Sequence, residues 1–193
     1  MKKIPTLFTR IFDNRRIVDI TPEITPGCEE AFLNGRATVK IDSSCCTIIG
    51  DEFYKRYDAK KGKTPPVGAI PCSDPDPVTG HWPHWVKVDE NDPSDKWFVK
   101  AFKNSIQNGM YYAAGTYEVI GPHFQGNPYG LAEDILEPHG FRQATVKRDF
   151  DSVKEWLRTH NEEGLVFWLN GEPVCKIKRT DFGYEWPVTN KED

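Results

Sequence analysis

Four short stretches of this sequence carry side chains suited to phosphate chemistry, and they follow one another in a set order. They share lysines and carboxylates: Lys40-Ile-Asp42, Glu118 in TYEVIG, Glu163-Gly164 in EEGLVFW, and Lys176-Ile-Lys178. A neutral lysine amine is a good nucleophile, and two lysines at positions i and i+2 share one strand face, where both can reach one phosphate group. Carboxylate oxygens are hard ligands suited to Mg²⁺. These residue types therefore point to chemistry on a phosphate.

The composition predicts one soluble-type domain with little overall attraction for nucleic acid. The chain has 193 residues and a formal net charge of -4, whereas proteins that grip nucleic acid through phosphates alone are usually basic. Any contact with nucleic acid must therefore be local. The densest basic stretch contains Lys55, Arg56, Lys60, Lys61 and Lys63. It either follows a phosphate backbone or forms a solvated loop, and charge alone favours the loop.

Cysteine usage and hydropathy predict the compartment. The five cysteines form no CxxC pair, so reduced thiols are expected and a zinc ribbon is not. No apolar run approaches the roughly 20 residues that span a bilayer, and the first residues are too polar for a signal peptide. We therefore expect no membrane partner and a cytoplasmic or nuclear location.

The elements that must position these residues begin with a strand from Ala37 to Ile49, which is rich in β-branched residues. Its period of two predicts that Lys40 and Asp42 point the same way. Residues 1–35 are predicted to form extended segments and turns. Residues 64–94 hold seven of the fifteen prolines and are predicted to be irregular. Within them, the two histidines of GHWPHW favour ordinary packing over metal binding, since no third ligand accompanies them.

Two amphipathic helices and further strands are predicted after this segment. The first helix follows a proposed N-cap at Asp95, turns an apolar stripe to the core and stops at Asn108-Gly109. The stripe comprises Trp97, Phe98, Ala101, Phe102 and Ile106. Met110 to Ile120 should form one or two strands. The second helix runs from about Asp151 to His160, and the acidic tail from Asn190 should be frayed. Its inward residues are Phe150, Val153, Trp156 and Leu157.

A β-hairpin is predicted around Asn170-Gly171, because both central positions of a type I′ turn need positive φ. The simplest register places Leu165 opposite Lys176 and Glu163 opposite Lys178, with Cys175 and Ile177 facing the core. Pro173 offers an alternative, since a bulge there shifts the register by one residue.

The ordered motifs resemble the lysine nucleotidyltransferase superfamily of ATP-dependent ligases and capping enzymes, closest to vertebrate-type RNA ligases that join 5′-phosphate and 3′-hydroxyl ends. The resemblance runs from about Ala37 to Pro187 through TVKIDSSCC, GHWPHWVKV, YEVIGPHFQGNPYGL, EPHGF, EEGLVFW and KIKRTDFGYEWP. It implies an α+β fold, a nucleotidyltransferase (ATP-grasp-like) core of antiparallel sheets with flanking helices. One adenylyltransferase domain, 1–193, is expected, with 1–35 as an N-terminal extended segment and no C-terminal accessory domain.

The same resemblance assigns roles around the nucleophile. Lys40 matches the lysine that attacks the α-phosphate of ATP and carries AMP. Lys176 and Lys178 match the pair that contacts this phosphate. Glu163 and Asp42 are implied to hold Mg²⁺, with Mn²⁺ as a substitute. A free lysine is almost wholly protonated at neutral pH, so lowering its pKa by about three units takes about 4 kcal/mol, which nearby cations can supply.

The remaining implied roles concern the nucleotide and the RNA. Glu118 matches the residue that contacts the ribose hydroxyls, and Arg56 resembles an arginine that binds the 5′-phosphate end or the AMP phosphate. Phe141 in EPHGF is the candidate for stacking on adenine. The implied partner is RNA with 5′-phosphate and 3′-hydroxyl ends. The oligomeric state stays open, with a monomer as the expectation.

Two departures from the family pattern keep other interpretations open. Ser43 stands where KxDG has glycine, and Val39 stands where close relatives often have glutamate. An RNA-binding module with weakened catalysis is therefore one alternative. A GTP-dependent capping-type nucleotidyltransferase that uses the same lysine is another, although QGNPYGL and the closing segment resemble ligases. Ordinary structural roles are alternatives too, because lysines on one strand face often form only a solvated surface and exposed ion pairs contribute little.

Overall fold

A computed structural model describes residues 3–14, 16–109 and 113–188. The chain forms two compact units. The middle unit comprises Asp42–His139, and the terminal unit comprises Lys3–Ile41 together with the chain from Gly140 onward. The chain therefore passes from the terminal to the middle unit directly after Ile41, and it returns at Gly140.

The described residues form eleven strands, three α-helices and two short 3₁₀ helices, Pro93–Asp95 and Arg179–Phe182. The strands are β1 (Phe8–Asp13), β2 (Arg16–Ile24), β3 (Arg36–Lys40), β4 (Ser44–Ile49), β5 (Glu52–Ala59), β6 (Ile70–Pro71), β7 (Trp82–Lys87), β8 (Gly115–Ile120), β9 (Ile135–Pro138), β10 (Gly164–Leu169) and β11 (Glu172–Lys178). The helices are α1 (Glu29–Asn34), α2 (Lys96–Gln107) and α3 (Phe150–Thr159). Antiparallel sheets with helices confirm the predicted α+β class. No helix in the described part of the chain is long and apolar enough to cross a membrane.

The middle unit is built on a six-stranded antiparallel sheet in the order β6-β7-β5-β4-β8-β9. Alternation along the strands gives this sheet an apolar face and a polar face. The apolar face packs with α2 in one core, whose buried members include Cys46, Ile48, Phe53, Ala101, Tyr117, Val119 and Leu136. The alternate positions, including Cys45, Arg56 and Glu118, lie on the other face.

The terminal unit contains the β1-β2 hairpin and a three-stranded antiparallel sheet in the order β11-β10-β3. One face of that sheet packs on α1 and α3 through fully or almost fully buried residues, among them Phe32, Ala37, Val153, Leu157, Leu165, Phe167, Cys175 and Ile177. The predicted inward orientation of Cys175 and Ile177 is confirmed. Lys40, Lys176 and Lys178 occupy the alternate positions, so they lie on the opposite face.

The two longer helices follow the predicted patterns with two corrections. In α3, Val153 and Leu157 are buried, and the Asp149 side chain caps the helix by accepting a hydrogen bond from the Ser152 amide at 2.8 Å. In α2 the expected stop is confirmed, since Asn108 is the C-cap. Asp95 is the N-cap residue as predicted, but its side chain makes no cap hydrogen bond, because its carboxylate pairs with Lys55 instead. Ile106, expected to face inward, is 53% exposed.

The predicted strand from Ala37 to Ile49 is wrong as a single element. β3 ends at Lys40 and β4 begins at Ser44, and the two strands belong to different sheets. The expectation that Lys40 and Asp42 share one strand face fails with it. Neither glycine nor proline marks this break, and the β-branched residues on both sides favour strand equally, so local sequence gave no signal of it.

The β10-β11 hairpin forms with the predicted turn and the shifted register. Asn170 and Gly171 have φ of 51° and 84°, as the type I′ turn requires. Trp168 lies opposite Pro173, but the next pair is Phe167 with Cys175, so one extra residue is accommodated after Pro173. The simple register is therefore wrong by one position. Proline has no amide hydrogen to donate to the ladder, which explains the bulge at this point.

Two segments expected to be irregular contain regular structure. Residues 1–35 form β1, β2 and α1 rather than only extended segments and turns. The GHWPHW motif lies mainly on β7, which pairs with β5, and His84 is buried with Nδ1 at 2.9 Å from the carbonyl oxygen of Trp82. The strand predicted from Met110 begins at Gly115; residues 110–112 and the tail from residue 189 lie outside the described residues.

Candidate functional site

A cluster of charged side chains lies where β3, β10 and β11 meet side by side in the terminal unit. Gly164 lies opposite Lys40 on one neighbouring strand and opposite Lys178 on the other. Glu163 precedes it, and its side chain is only 3% exposed. One carboxylate oxygen of Glu163 accepts a hydrogen bond from Nζ of Lys40, and the other lies 2.6 Å from Nζ of Lys178. One buried carboxylate thus holds two ammonium groups.

Lys176 is the third lysine of this cluster, two residues before Lys178 on β11. Its backbone is held on the outer edge by the N-terminal segment: its amide donates to the carbonyl of Pro5 at 3.0 Å, and its carbonyl accepts from the amide of Leu7 at 2.7 Å. This added segment covers β11, so the Lys176 side chain is partly buried even though it points away from the core.

The surroundings of Lys176 favour the loss of its proton. Burial, followed by the positive charges of Lys40 and Lys178, lowers the pKa of Lys176 from 10.5 to about 8, while the charge of Glu163 acts in the opposite direction. Three lysines lie near one carboxylate, so the cluster carries excess positive charge when all three are protonated. Such a cluster attracts anions, and lysines bind phosphate groups as point charges.

Two residues beside the cluster fix its geometry. A Cβ atom on Gly164 would lie 2.1 Å from the carbonyl oxygen of Ile177, so only glycine lets β10 approach β11 this closely. The amide of Arg179 donates to the carbonyl of Glu163 at 2.9 Å, and its buried guanidinium donates to the carbonyls of Leu157 and His160 at the end of α3. Glu163 is therefore anchored through its backbone to both a strand and a helix.

The expected Mg²⁺ site at Glu163 and Asp42 stays a prediction. Each oxygen of Glu163 is engaged by an ammonium group, so a divalent cation bound there would share or replace these contacts. The lysines around Glu163 cannot ligate a hard cation while they are protonated. Asp42 belongs to the middle unit.

Asp42 and Ser43 lie in the turn before β4. The amide of Asp42 donates to the hydroxyl oxygen of Tyr129 at 2.7 Å, which ties this turn to the QGNPYGL loop. Ser43, where the resemblance would place glycine, has no positive φ, so the serine brings no backbone strain there, and its hydroxyl donates to the carbonyl of Val119. Its side chain therefore adds a hydrogen bond within the middle unit.

Glu118 and Arg56 lie on the polar face of the middle unit's sheet. Glu118 is buried, and its Oε1 lies 3.0 Å from Nε2 of His139. Cys45 lies directly opposite Glu118 on β4, and burial, followed by the charge of Glu118, raises the pKa of its thiol to about 12. Arg56 donates to Asp58 at 2.9 Å and keeps a side-chain exposure of 30%.

Phe141 lies in the terminal unit and is 70% exposed. Its neighbour Gly140 packs against the ring of Trp168, over which the guanidinium of Arg36 lies 5.5 Å from the ring centroid. The structure therefore brings together Lys40, Glu163, Lys176 and Lys178. It places Asp42, Arg56 and Glu118 in the other unit and leaves Phe141 as an exposed ring.

Known proteins with similar sequences are named RNA ligase 1. A Danio rerio protein named RNA ligase 1 is 32% identical over 85 residues, which cover 39% of this chain and 26% of that protein. The chain is similar to RNA ligase 1. The RNA ligase 1 proteins of Pongo abelii and Rattus norvegicus are 25% and 29% identical over 142 and 139 residues, in each case 56% of this chain and 43% of the relative. The matched segments thus span less than half of each RNA ligase 1 protein. No family model matches the chain.

Three residues, one beside the lysine cluster and two beside Glu118, were not assigned a role from the sequence. Arg179 belongs to the KIKR motif on which the resemblance to RNA ligases rests. Nothing in its sequence position signals that its side chain donates to carbonyls at the end of α3. Cys45 and His139 lie 94 positions apart in the chain, and only the pairing of β4, β8 and β9 brings them to Glu118. Long-range sheet pairing is the signal that single-sequence patterns lack.

Proposed function

We propose that this chain is an ATP-dependent RNA ligase that joins 5′-phosphate and 3′-hydroxyl ends through AMP carried on Lys40. The observation that supports this proposal is that Lys40 and Lys178 both contact the buried carboxylate of Glu163, while Lys176 lies close enough for the charges of all three to act on it. Similarity to proteins named RNA ligase 1 supports RNA as the substrate class. The chain spans less than half of those proteins, so the complete activity is part of the proposal.

The proposed reaction has three steps, and each forms one bond to phosphorus and breaks another. Nζ of Lys40 attacks the α-phosphorus of ATP, forming a P–N bond while pyrophosphate leaves. The 5′-phosphate of RNA then attacks the same phosphorus, breaking the P–N bond and returning the amine to Lys40. Finally, a 3′-hydroxyl attacks the activated 5′-phosphate, forming the phosphodiester bond while AMP leaves.

The cluster supplies two aids to the first step. Lys178 and Lys176 place positive charge where negative charge builds on the phosphate oxygens and on pyrophosphate, which is a large contribution to phosphoryl-type transfer. Glu163 holds Lys40 at the end of β3, so the nucleophile starts from a defined position. We propose that Mg²⁺ arrives on the phosphates of ATP, whose oxygens it prefers, and offsets their charge.

Lys40 must lose a proton before it attacks, and Lys176 is the proposed acceptor. Its pKa of about 8 leaves an appreciable neutral fraction near neutral pH, unlike an ordinary lysine. Adenylylation should therefore accelerate as pH rises through about 8. Lys176→Arg keeps the positive charge but cannot accept a proton in this range, so it should slow adenylylation about a hundredfold and flatten the pH profile. A Lys176→Arg profile that still rises through the same pH would remove Lys176 from this role.

The remaining proposed contacts come from three residues outside the lysine cluster. Glu118 is proposed for the ribose hydroxyls, Arg56 for a phosphate of AMP or of the RNA 5′ end, and Phe141 for adenine stacking. The exposure of the Arg56 side chain and of the Phe141 ring supports their availability to a ligand.

Intact mass spectrometry after incubation with ATP and Mg²⁺ tests the central step. Wild type and Lys154→Ala, which removes an exposed lysine of α3, should gain the mass of one AMP group. Lys40→Ala should gain none. A GMP adduct formed in preference with GTP would instead identify a capping-type nucleotidyltransferase. RNA binding without any nucleotide adduct would identify a binding module.

A second assay tests the ends that are joined. RNA carrying a 5′-phosphate and a 3′-hydroxyl should be sealed by wild type, whereas the same RNA with a 5′-hydroxyl should not, because it lacks the group that receives AMP. Sealing of the 5′-hydroxyl RNA would contradict the proposed order of steps.

A further inference from the structure

A second cluster of reactive side chains lies on the polar face of the middle unit's sheet. Cys45 on β4 and Glu118 on β8 are direct partners in the antiparallel register. His139 follows β9, and its amide donates to the carbonyl of Thr116 at 3.1 Å, which extends the β8-β9 pairing by one step. Directly opposed side chains on one face have Cβ atoms about 4.5–5.5 Å apart, which brings Cys45 to Glu118. Glu137 is the direct partner of Glu118 on β9, so His139, two residues further on, is its diagonal neighbour on the same face.

The donor atoms of this cluster are close enough for a common ligand. The Cys45 sulfur, one carboxylate oxygen of Glu118 and one ring nitrogen of His139 all lie within 4.8 Å of one another. In a tetrahedral site with bonds of about 2.0–2.3 Å, the donor atoms lie about 3.3–3.8 Å apart, so modest side-chain rotations reach that geometry. Nε2 of His139 and Oε1 of Glu118 are already 3.0 Å apart.

A buried oxygen of Glu118 gives independent evidence of a missing partner. Its Oε2 is buried and has no hydrogen-bond partner among the residues that the structure describes. The Glu118 side chain is only 10% exposed, so water compensates this oxygen poorly. A buried carboxylate oxygen without a partner is costly, and a bound cation is one of the groups that satisfies it.

We propose that Cys45, Glu118 and His139 bind a transition-metal ion of the Zn²⁺ class. Sulfur, imidazole nitrogen and carboxylate oxygen are the donors that Zn²⁺ accepts in proteins, whereas Mg²⁺ and Ca²⁺ prefer oxygen alone. Binding replaces the thiol proton of Cys45 with the metal and releases that proton to solvent. Three protein ligands leave the fourth tetrahedral position open to water.

Thr116 provides the outer support that such a site needs. Its Oγ1 lies 2.9 Å from Nδ1 of His139. With a metal on Nε2, the ring carries its proton on Nδ1 and donates it to this hydroxyl oxygen, which fixes the ring as outer-shell partners do in known sites. Without a metal, the hydroxyl rotates and donates to Nδ1, while Nε2 donates to Glu118. One threonine therefore suits both states.

The same three residues do not suit a cysteine nucleophile. A Cys-His pair needs a ring nitrogen directed at the sulfur, but both nitrogens of His139 already lie at hydrogen-bond distance from Thr116 and Glu118. Burial also raises the pKa of the Cys45 thiol, which is opposite to the change an activated cysteine shows.

The metal site and the proposed nucleotide contact share Glu118. If Glu118 binds the ribose hydroxyls, as the proposed function has it, a bound ion withdraws that carboxylate. Zn²⁺ should then reduce formation of the AMP adduct by wild type, while Cys45→Ser, compared with its own metal-free yield, should resist the inhibition. The binding experiment below needs neither ATP nor RNA, so its outcome is separate from that of the ligase assays.

The experiment adds Co²⁺ to the full chain after metal has been removed with a chelator. Wild type should bind one Co²⁺ and develop the near-ultraviolet absorption of a cobalt-thiolate bond, which Zn²⁺ should abolish by displacement and excess Mg²⁺ should not. Cys45→Ser should lack the band. Glu118→Gln and His139→Asn should weaken Zn²⁺ binding by more than about a hundredfold, and Thr116→Val by about tenfold.

The matched control is Cys46→Ala, which removes the neighbouring thiol from the opposite, core-facing side of β4. It should bind Co²⁺ and Zn²⁺ like wild type, and circular dichroism checks that every variant is folded. The proposal is overturned if wild type shows no cobalt-thiolate band, if Cys45→Ser keeps it, or if folded Glu118→Gln binds Zn²⁺ as tightly as wild type.

Discussion

The two charged clusters of this protein satisfy their carboxylates in opposite ways. Glu163 has both oxygens engaged by lysines, and a third lysine adds positive charge beside it. Glu118 has one oxygen near an imidazole and the other without a partner among the described residues. The first arrangement attracts anions and the second attracts a cation. The identity of the neighbours, rather than the glutamate itself, therefore decides what each site can bind.

The largest expected effect on stability comes from a change at the strand contact beneath the lysine cluster. Gly164→Ala places a Cβ 2.1 Å from the carbonyl of Ile177, so β10 and β11 must separate. We expect a loss of about 3 kcal/mol in the free energy of unfolding, measured by denaturant titration, together with loss of the AMP adduct.

Gly62→Ala is the control for this substitution. Gly62 has φ of 75°, and a Cβ added there would meet no other atom within 4 Å, so the variant reports only the cost of a left-handed backbone. That cost is about 1 kcal/mol. Equal losses in the two variants would show that close strand approach at Gly164 contributes nothing.

Removing the charge of Glu163 should be the next largest effect. Glu163→Gln leaves Lys40 and Lys178 without their shared counter-charge, and we expect a loss of about 2 kcal/mol. The side chains of the two lysines keep exposures of 19% and 32%, so water recovers part of the lost interaction. Chemical denaturation measures the loss. Glu155→Gln, which breaks an exposed pair with Arg158, should leave stability unchanged within error.

The third expected effect concerns Lys176 and depends on pH. Because its folded pKa of about 8 lies below its unfolded value, the folded state bears the cost of this charge below pH 8, and that cost disappears as pH rises toward about 10. Lys176→Met should therefore be more stable than wild type by about 1 kcal/mol at about pH 6, after allowance for solvent screening.

This gain should shrink as the pH of the denaturation experiment approaches about 10. Lys154→Met, which replaces an exposed lysine on α3, serves as the reference and should show no such trend. A gain for Lys176→Met that stays constant with pH would assign the effect to packing rather than to charge.

The smallest expected effect on stability concerns Glu118, and it distinguishes this residue from Glu163. Glu118→Gln removes a buried charge that lacks a full set of partners, while the amide oxygen still faces His139, so stability should change by less than about 1 kcal/mol without metal. Added Zn²⁺ should raise the melting temperature of wild type but not of Glu118→Gln, because only the native site gains free energy from the ion. Thermal unfolding with and without Zn²⁺ measures both quantities.

The two clusters also differ in how far they could be predicted from the sequence. In the lysine cluster, Lys176 with Lys178 and Glu163 with Gly164 are neighbours at short spacing, but Lys40 lies 123 positions from Glu163. The resemblance of the ordered motifs, rather than a local pattern, predicted that Lys40 joins them. The Cys45, Glu118 and His139 cluster depends on two strand pairings between distant segments, which no local pattern specifies. The α+β class, both longer helices and the Asn170-Gly171 turn followed from periodicity and turn chemistry.

The predictions that failed have causes outside the local sequence. The break after Lys40 lacks glycine or proline, so one strand was predicted where two exist. Asp95 has the residue type of an N-cap, but its carboxylate is taken by Lys55, a partner 40 positions away. Proline content marked the region around Pro83 as irregular, although strand β7 accommodates it. Tertiary partners decided each of these outcomes.

The extra residue after Pro173 gives the hairpin one place where its length can change. The register passes over Val174, so deleting Val174 would leave Phe167 opposite Cys175 and Val166 opposite Lys176, with both lysines on their present face. Side chains alternate along β11, so deleting Ile177, which lies beyond the bulge, would turn Lys178 toward the apolar interior. A deletion at the bulge is therefore expected to be mild, whereas a deletion three residues further along should separate Lys178 from Glu163.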